Sequence, residues 1–151
     1  MPVPPPVLPL LPDDVEASFY DAMQTGDLEK LMAVWAEDEA ICCIHPGGPA
    51  LHGAEAIRSS FAEIFARGPV DLQPVAVRRL RGEETAVHQV VEAVRLGSGS
   101  EARSVQALAS NVYLLTPQGW RMVLHHASPA PAAAAALGMP AGSDHRPVVL
   151  H

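Results

Sequence analysis

The sequence predicts an α+β domain in which helices cover one face of a curved antiparallel sheet. Two observations carry this. Over residues 13–35 and again over about 54–66 the apolar residues recur at helical spacing, whereas from about 71 to 128 the period shortens to two. The second half is also cut into strand-length pieces by Gly82, Gly97-Ser98-Gly99 and Pro117-Gln118-Gly119, the turn chemistry of antiparallel neighbours. Helices first and consecutive strands after them make separate layers.

The first helix is expected to start at Asp13, which follows Pro12 and can cap it, with Val15, Phe19, Ala22 and Met23 on one face. Gly26 breaks the chain. Asp27 can cap a short second helix carrying Leu28, Leu31, Met32 and Trp35 on one stripe. Residues 39–45, EAICCIH, are too short for a helix and rich in strand formers, and Pro46-Gly47-Gly48-Pro49 stops them. A third helix is expected over Ala54–Ala66, with Ile57, Phe61, Ile64 and Phe65 inward and Gly68-Pro69 ending it. Strands follow near 71–81, 84–96, 103–115 and 119–128. The core domain thus spans residues 13–129, between a Pro-rich extended arm (1–12) and an Ala/Pro/Gly-rich tail (130–151) whose alanine run Pro140 would end.

A chain of 151 residues, 48% hydrophobic and 18% charged, suits one domain with one core. Its net charge is −7, with a single lysine, Lys30, and nine scattered arginines. A nucleic-acid partner lacks its basic footprint, and an acidic surface disfavours an anionic membrane. No apolar stretch approaches a membrane span. The apolar N-terminus has no basic residue before it, and its prolines oppose the helix of a signal peptide, so a cytoplasmic location is expected. Cys42 and Cys43 are adjacent and have no third partner, which excludes a disulfide scaffold.

The segment ICCIHPGGPALHG, residues 41–53, concentrates the chemistry. Strand alternation puts Ile41, Cys43 and His45 on one face. Cys43 and His45 then read either as a thiolate–imidazolium pair or as a small buried hydrophobe beside a histidine that bonds the next loop. Cys43, His45 and a last-strand histidine would make three metal ligands, but their spacing matches no metal motif and His52 sits in a loop, so no metal is expected. His125 and His126 must point to opposite faces of their strand. No nucleotide or redox motif occurs, and no cofactor is expected.

The segments FYDAMQTGDLEKLMAVWAEDEA, HPGGPALHGAEAIRSSFAEIF and SNVYLLTPQGWRMVLHHASP, in this order, resemble the NTF2-like superfamily, and more closely its SnoaL-like proteins related to ketosteroid isomerase. The resemblance covers roughly residues 13–129. It implies a cone: three helices closing over a bent antiparallel sheet, a pocket at the wide end, and homodimers paired through the sheet. It also implies a test of chemistry. In register from Gly26-Asp27-Leu28, the isomerase's carboxylate base falls on Cys43, its tyrosine on Phe19 and its aspartic acid on Asn111. Tyr20 is one residue off, about 100° round a helix. A thiol with a pKa of about 8.5 is a poor carbon-acid base, so ketosteroid isomerisation is not expected.

The resemblance places Phe19, Trp35, Cys43, Tyr113 and Leu124 around a largely apolar pocket with His45, His126 and Asn111 as candidate catalytic groups. Leu124 and His126 share a face by alternation, and His125 then faces outward. Glu92 and His88 share a strand face, as do Gln89 and Arg95. Two functions follow. One is a small-molecule pocket protein whose enzymatic form is a cofactor-free isomerase, cyclase or hydrolase, in which His45 or His126 moves a proton and Asn111 polarises a ligand oxygen. The other is a non-catalytic ligand-binding or dimerisation module of the same fold. An unpaired, partly exposed histidine near Asn111 would mark the first; a filled interior with its histidines bonded to protein groups would mark the second.

Overall fold

The computed structural model describes residues 11–130 and 148–149; the expectations for the arm and for most of the tail lie outside them. Helix α1 spans Pro12–Thr25, α2 Leu28–Ala33 and α3 Ala54–Ala66. The strands are β1 (Cys42–Ile44), β2 (Ala50–His52), β3 (Leu72–Arg81), β4 (Thr85–Leu96), β5 (Arg103–Thr116), β6 (Gly119–Pro129) and the two-residue β7 (Val148–Val149). They form one open sheet in the order β2-β1-β6-β5-β4-β3-β7, with the three helices packed on its concave face.

The sheet is mixed, not purely antiparallel. Strands β3, β4, β5 and β6 are joined by tight turns and pair antiparallel, as their two-residue period requires. The long crossover through α3 brings β1 in parallel to β6, and β7 lies parallel to β3. The Pro46–Pro49 stop leads into a second short strand, β2, which folds back antiparallel on β1.

Helix α1 is capped two residues earlier than expected. Leu11 is the cap residue, Pro12 occupies the first turn, and Asp14, not Asp13, accepts the Leu11 N–H at 2.9 Å. Its end needs a glycine: Gly26 has φ +68°, where a side chain would be strained. Asp27 caps α2 as expected, accepting the Lys30 N–H at 3.0 Å. Trp35, however, lies beyond the end of α2 and forms an isolated bridge with Met122 of β6.

One feature of β6 decides which side chains face the helices. Val112 of β5 pairs with Leu124, but Tyr113 pairs with Met122, so Val123 is an extra residue, a β-bulge. Trp120 and Met122 point inward before it; His125 and Ala127 point inward after it. The expected parity is therefore reversed. His125 is buried, His126 is exposed, and Leu124 stands on the outer face opposite Val112.

Candidate functional site

The interior between α1 and the sheet holds a chain of hydrogen-bonded polar side chains. Helix α1 contributes Glu16 and Tyr20, β4 contributes His88 and Glu92, β5 contributes Asn111 and β6 contributes His125, all buried, with Tyr113 of β5 buried beside them. The Tyr20 hydroxyl donates to Glu92 Oε2 at 2.7 Å. Asn111 Nδ2 donates to Tyr20 Oη at 3.0 Å and to Glu16 Oε1 at 3.4 Å. Asn111 Oδ1 lies 2.6 Å from His125 Nδ1. Because a carbonyl oxygen only accepts, that nitrogen carries the proton, and Nε2 holds the ring's lone pair. His88 Nδ1 is 2.8 Å from Glu16 Oε2, and its Nε2 is 3.8 Å from Asp13, which Arg79 holds at 2.8 Å.

Burial sets the protonation states. It pushes the Glu92 carboxyl up to about 7, with the Glu16 charge adding to the rise and the Tyr20 hydrogen bond working against it. It also drives the His125 imidazole down to about 3, helped by His45 and His126. At neutral pH His125 is thus an uncharged ring. Tyr20 and Tyr113 are held well above the ordinary phenol range, chiefly by burial. The Tyr113 hydroxyl is fully buried and has no hydrogen-bond partner among the described residues.

Next to this network lies the β1 pair. Cys43 Sγ is 4.0 Å from His45 Nε2, and the same nitrogen is 2.8 Å from Ser60 Oγ on α3. Burial, then Cys42 and Glu92, push the Cys43 thiol up to about 12, and burial lowers the His45 pKa. A neutral thiol beside a neutral imidazole is not an activated nucleophile.

Phe19, Cys43, Asn111, Tyr113 and Trp35 are all inward-facing and at most 4% exposed. Phe19 stacks near His125, with 4.8 Å between ring centroids. His126 and Leu124 do not join them, because of the bulge at Val123. Tyr20, set aside by helical spacing, does join. Helix α1 is buried over a wide arc that includes Val15, Glu16, Phe19, Tyr20, Ala22 and Met23, so neighbouring residues both reach the interior. Two polar residues missed by a search for catalytic types, Glu16 and Tyr20, had one readable signal. They sit on the apolar helix one turn apart, where polar groups need interior partners.

Asp13, Glu16 and His88 bring ligand-type atoms within 4.8 Å of one another. Arg79 already pairs with Asp13 and Glu16 engages His88, so the trio is a chain of polar contacts running from surface to interior. Among the described residues, two of the clefts border Trp35. The larger, about 590 Å³, lies between the end of α2 and the start of α3; the smaller, about 310 Å³, lies across Trp35 from it, beside Gln118 and Arg121.

The family model for the SnoaL-like domain matches residues 13–133. The chain belongs to the SnoaL-like family. This SnoaL-like protein is 39% identical to a solved structure from Thiobacillus denitrificans, provisionally named a calcium/calmodulin-dependent protein kinase type II association domain. The match has a TM-score of 0.73 and covers 83% of this chain and 99% of that one. It is 28% identical to a protein from Streptomyces avermitilis, provisionally named a dehydratase of the NTF2-like family, with a TM-score of 0.69 over 78% of this chain and 93% of that one. The association domain of C. elegans CaMKII shares its fold, at 23% identity and a TM-score of 0.61 over 76% of this chain and 89% of that one. Among curated proteins, none matches. The NTF2-like cone expected from the sequence is therefore the fold of this family member, and no helix in the described residues is long and apolar enough to cross a membrane.

Proposed function

We propose that this SnoaL-like protein is a self-associating module that pairs through the outer face of its sheet. The observation that carries the reading is an apolar outer face on the central strands. By register they present Val87, Val91, Leu108, Val112 and Leu114 outward, flanked by Leu80 and Leu124 and interrupted by Gln89 and Ser110. Ala76, Leu108 and Ala130 already bury Val91, the helices lie on the opposite face, and the rest of this apolar patch invites a partner. Leu114 is 38% exposed. The 39%-identical relative bears the name of an association domain, which supports the same reading.

The interior chemistry agrees with it. Asn111, the expected carbonyl polariser, already spends its oxygen on His125 and its nitrogen on Tyr20 and Glu16. His45 is bonded to Ser60. These groups hold α1 to β4, β5 and β6 and serve as architecture. Sedimentation equilibrium or native mass spectrometry tests the reading. The wild type should be a dimer or larger assembly, and Leu114→Glu should shift it toward monomer with its circular dichroism unchanged. A wild-type monomer at micromolar concentration would overturn it.

A second reading rests on Tyr113. Its buried hydroxyl lacks an acceptor, and a ligand oxygen would supply one. On this reading the cone interior admits a small oxygen-bearing molecule beside the neutral His125 and the acid Glu92, a pair suited to proton transfer. Native mass spectrometry of the protein as purified decides it. A retained organic molecule lost in Asn111→Leu supports it; a bare assembly refutes it.

A further inference from the structure

Asp13 and Glu16 lie one turn apart on α1 and so share a face, and His88 of β4 stands against them. Ligand-type atoms of the three, one from each, all fall within 4.8 Å of one another. Among the described residues no other three His, Cys, Asp or Glu side chains converge in this way. Glu16 and His88 are buried, whereas Asp13 reaches solvent. Two features beyond the clustering point to a cation. Among the described residues no lysine or arginine pairs with Glu16; its ionic partner is His88, which is charged only when protonated. Buried carboxylates are ordinarily paired with a cation or bound to a metal. The Tyr113 hydroxyl is also aimed into the same space. Its ring meets His88 edge-on, with 5.0 Å between centroids, and the hydroxyl is close enough to Glu16 and Asp13 for both charges to raise its pKa. Tyr113 is 0% exposed, yet no acceptor among the described residues takes that hydroxyl's proton.

We propose that Asp13, Glu16 and His88 form a binding site for one divalent transition cation of the zinc type. Two carboxylates and one imidazole are ligands that zinc accepts, and the two carboxylates cancel its charge. A water takes the fourth tetrahedral position, and the Tyr113 hydroxyl donates to that water, gaining the acceptor it lacks. Arg79, held on Asp13 at 2.8 Å, competes with the ion and must give way. Asp13 is exposed, so that pair is a weak one. The donors lie on α1 and on the helix-facing side of β4, so the site does not depend on pairing through the outer sheet face. Binding ties the first turn of α1 to β4 and stabilises the fold in proportion to how tightly the ion is held.

The probe is the zinc ion alone, titrated calorimetrically into the full chain near neutral pH. The same titration of ¹⁵N-labelled protein follows the ring nitrogens of His88 by NMR, assigned by their correlations within the residue. The wild type should bind one zinc per chain with a micromolar or tighter Kd, and the ion should move the His88 nitrogens. Asp13→Ala, at an exposed position, should weaken binding by about tenfold or more with its circular dichroism unchanged. Arg79→Gln should tighten it several-fold, because the competing guanidinium is gone; a merely structural role for these residues predicts no such gain. Equal uptake by wild type and Asp13→Ala, with the ion on the paired Cys42 and His52 of β1 and β2 instead, overturns the proposal. A His88 ring that does not respond at millimolar zinc overturns it as well.

Discussion

Replacing Glu92 by Gln tests the reading of the buried network directly. In the unfolded chain this carboxyl loses its proton near 4.5; in the folded protein it keeps it to about 7, because burial, and then Glu16, penalise the charge more than the Tyr20 hydrogen bond favours it. Between those values the folded state binds a proton that the unfolded state has released, so stability falls as pH rises. Each pH unit is worth about 1.4 kcal/mol, and the whole rise amounts to about 3 kcal/mol, complete by about pH 8. Gln has the shape of the protonated acid and still offers Tyr20 an acceptor, but it does not titrate. Urea denaturation of wild type and Glu92→Gln at equal protein concentration, from pH 4.5 to 8, gives a difference in which every other titrating group cancels. The variant should gain about 3 kcal/mol on the wild type across that range. A difference flat to about 0.5 kcal/mol would show that the carboxylate is solvated or paired, and the closed-interior argument would fail.

Three further outcomes follow from the same interior. Tyr113→Phe removes a hydroxyl whose burial without a partner costs about 1–3 kcal/mol and should raise the thermal midpoint of the ligand-free protein; a fall of several degrees would mean that the hydroxyl is bonded. The His125 imidazole, driven down to about 3, should keep its neutral NMR shifts as pH drops to about 4. The unfolded chain takes up that proton near 6.5, so this group removes stability as pH falls below 6.5, by about 1.4 kcal/mol per unit; a midpoint near 6 for the His125 resonances would contradict its burial. With Cys43 raised to about 12 and buried, a thiol reagent at pH 8 should label only Cys42, and Cys42→Ser should be inert until denaturant is added; mass spectrometry of the adducts reads either outcome.

Much of the fold was legible because its period is strong. Helix α3 runs over Ala54–Ala66 as its spacing requires, and the turn glycines place β3 to β6 within a residue or two. What escaped has local causes. A bulge is one extra residue with no signature here: Val123 is an ordinary strand former, yet it exchanges the faces of Leu124, His125 and His126. Parallel pairing of β1 with β6 joins segments about 80 residues apart in the chain, beyond any window of periodicity. The candidate site was legible in its members more than in its state. Asn111, Tyr113, Cys43 and Phe19 do share one interior, and His88 and Glu92 do share a face. Whether they line a pocket or bond one another depends on Glu16 and Tyr20, two residues from a helix whose buried arc is wider than one stripe.

The place of β6 has a consequence for how the chain is made. It is the last long strand to be synthesised, yet it lies between β1 and β5. It also clamps the segment after α2: Met122 donates its N–H to Val34 at 2.8 Å and accepts from Ala36 at 2.9 Å. Until β6 leaves the ribosome, β1 and β2 have no larger sheet to join, and one edge of β5 lacks its neighbour. The nascent chain therefore carries β5 with an unpaired edge until β6 follows. The final closure, which joins β1 to β6, is a long-range event of the slow kind.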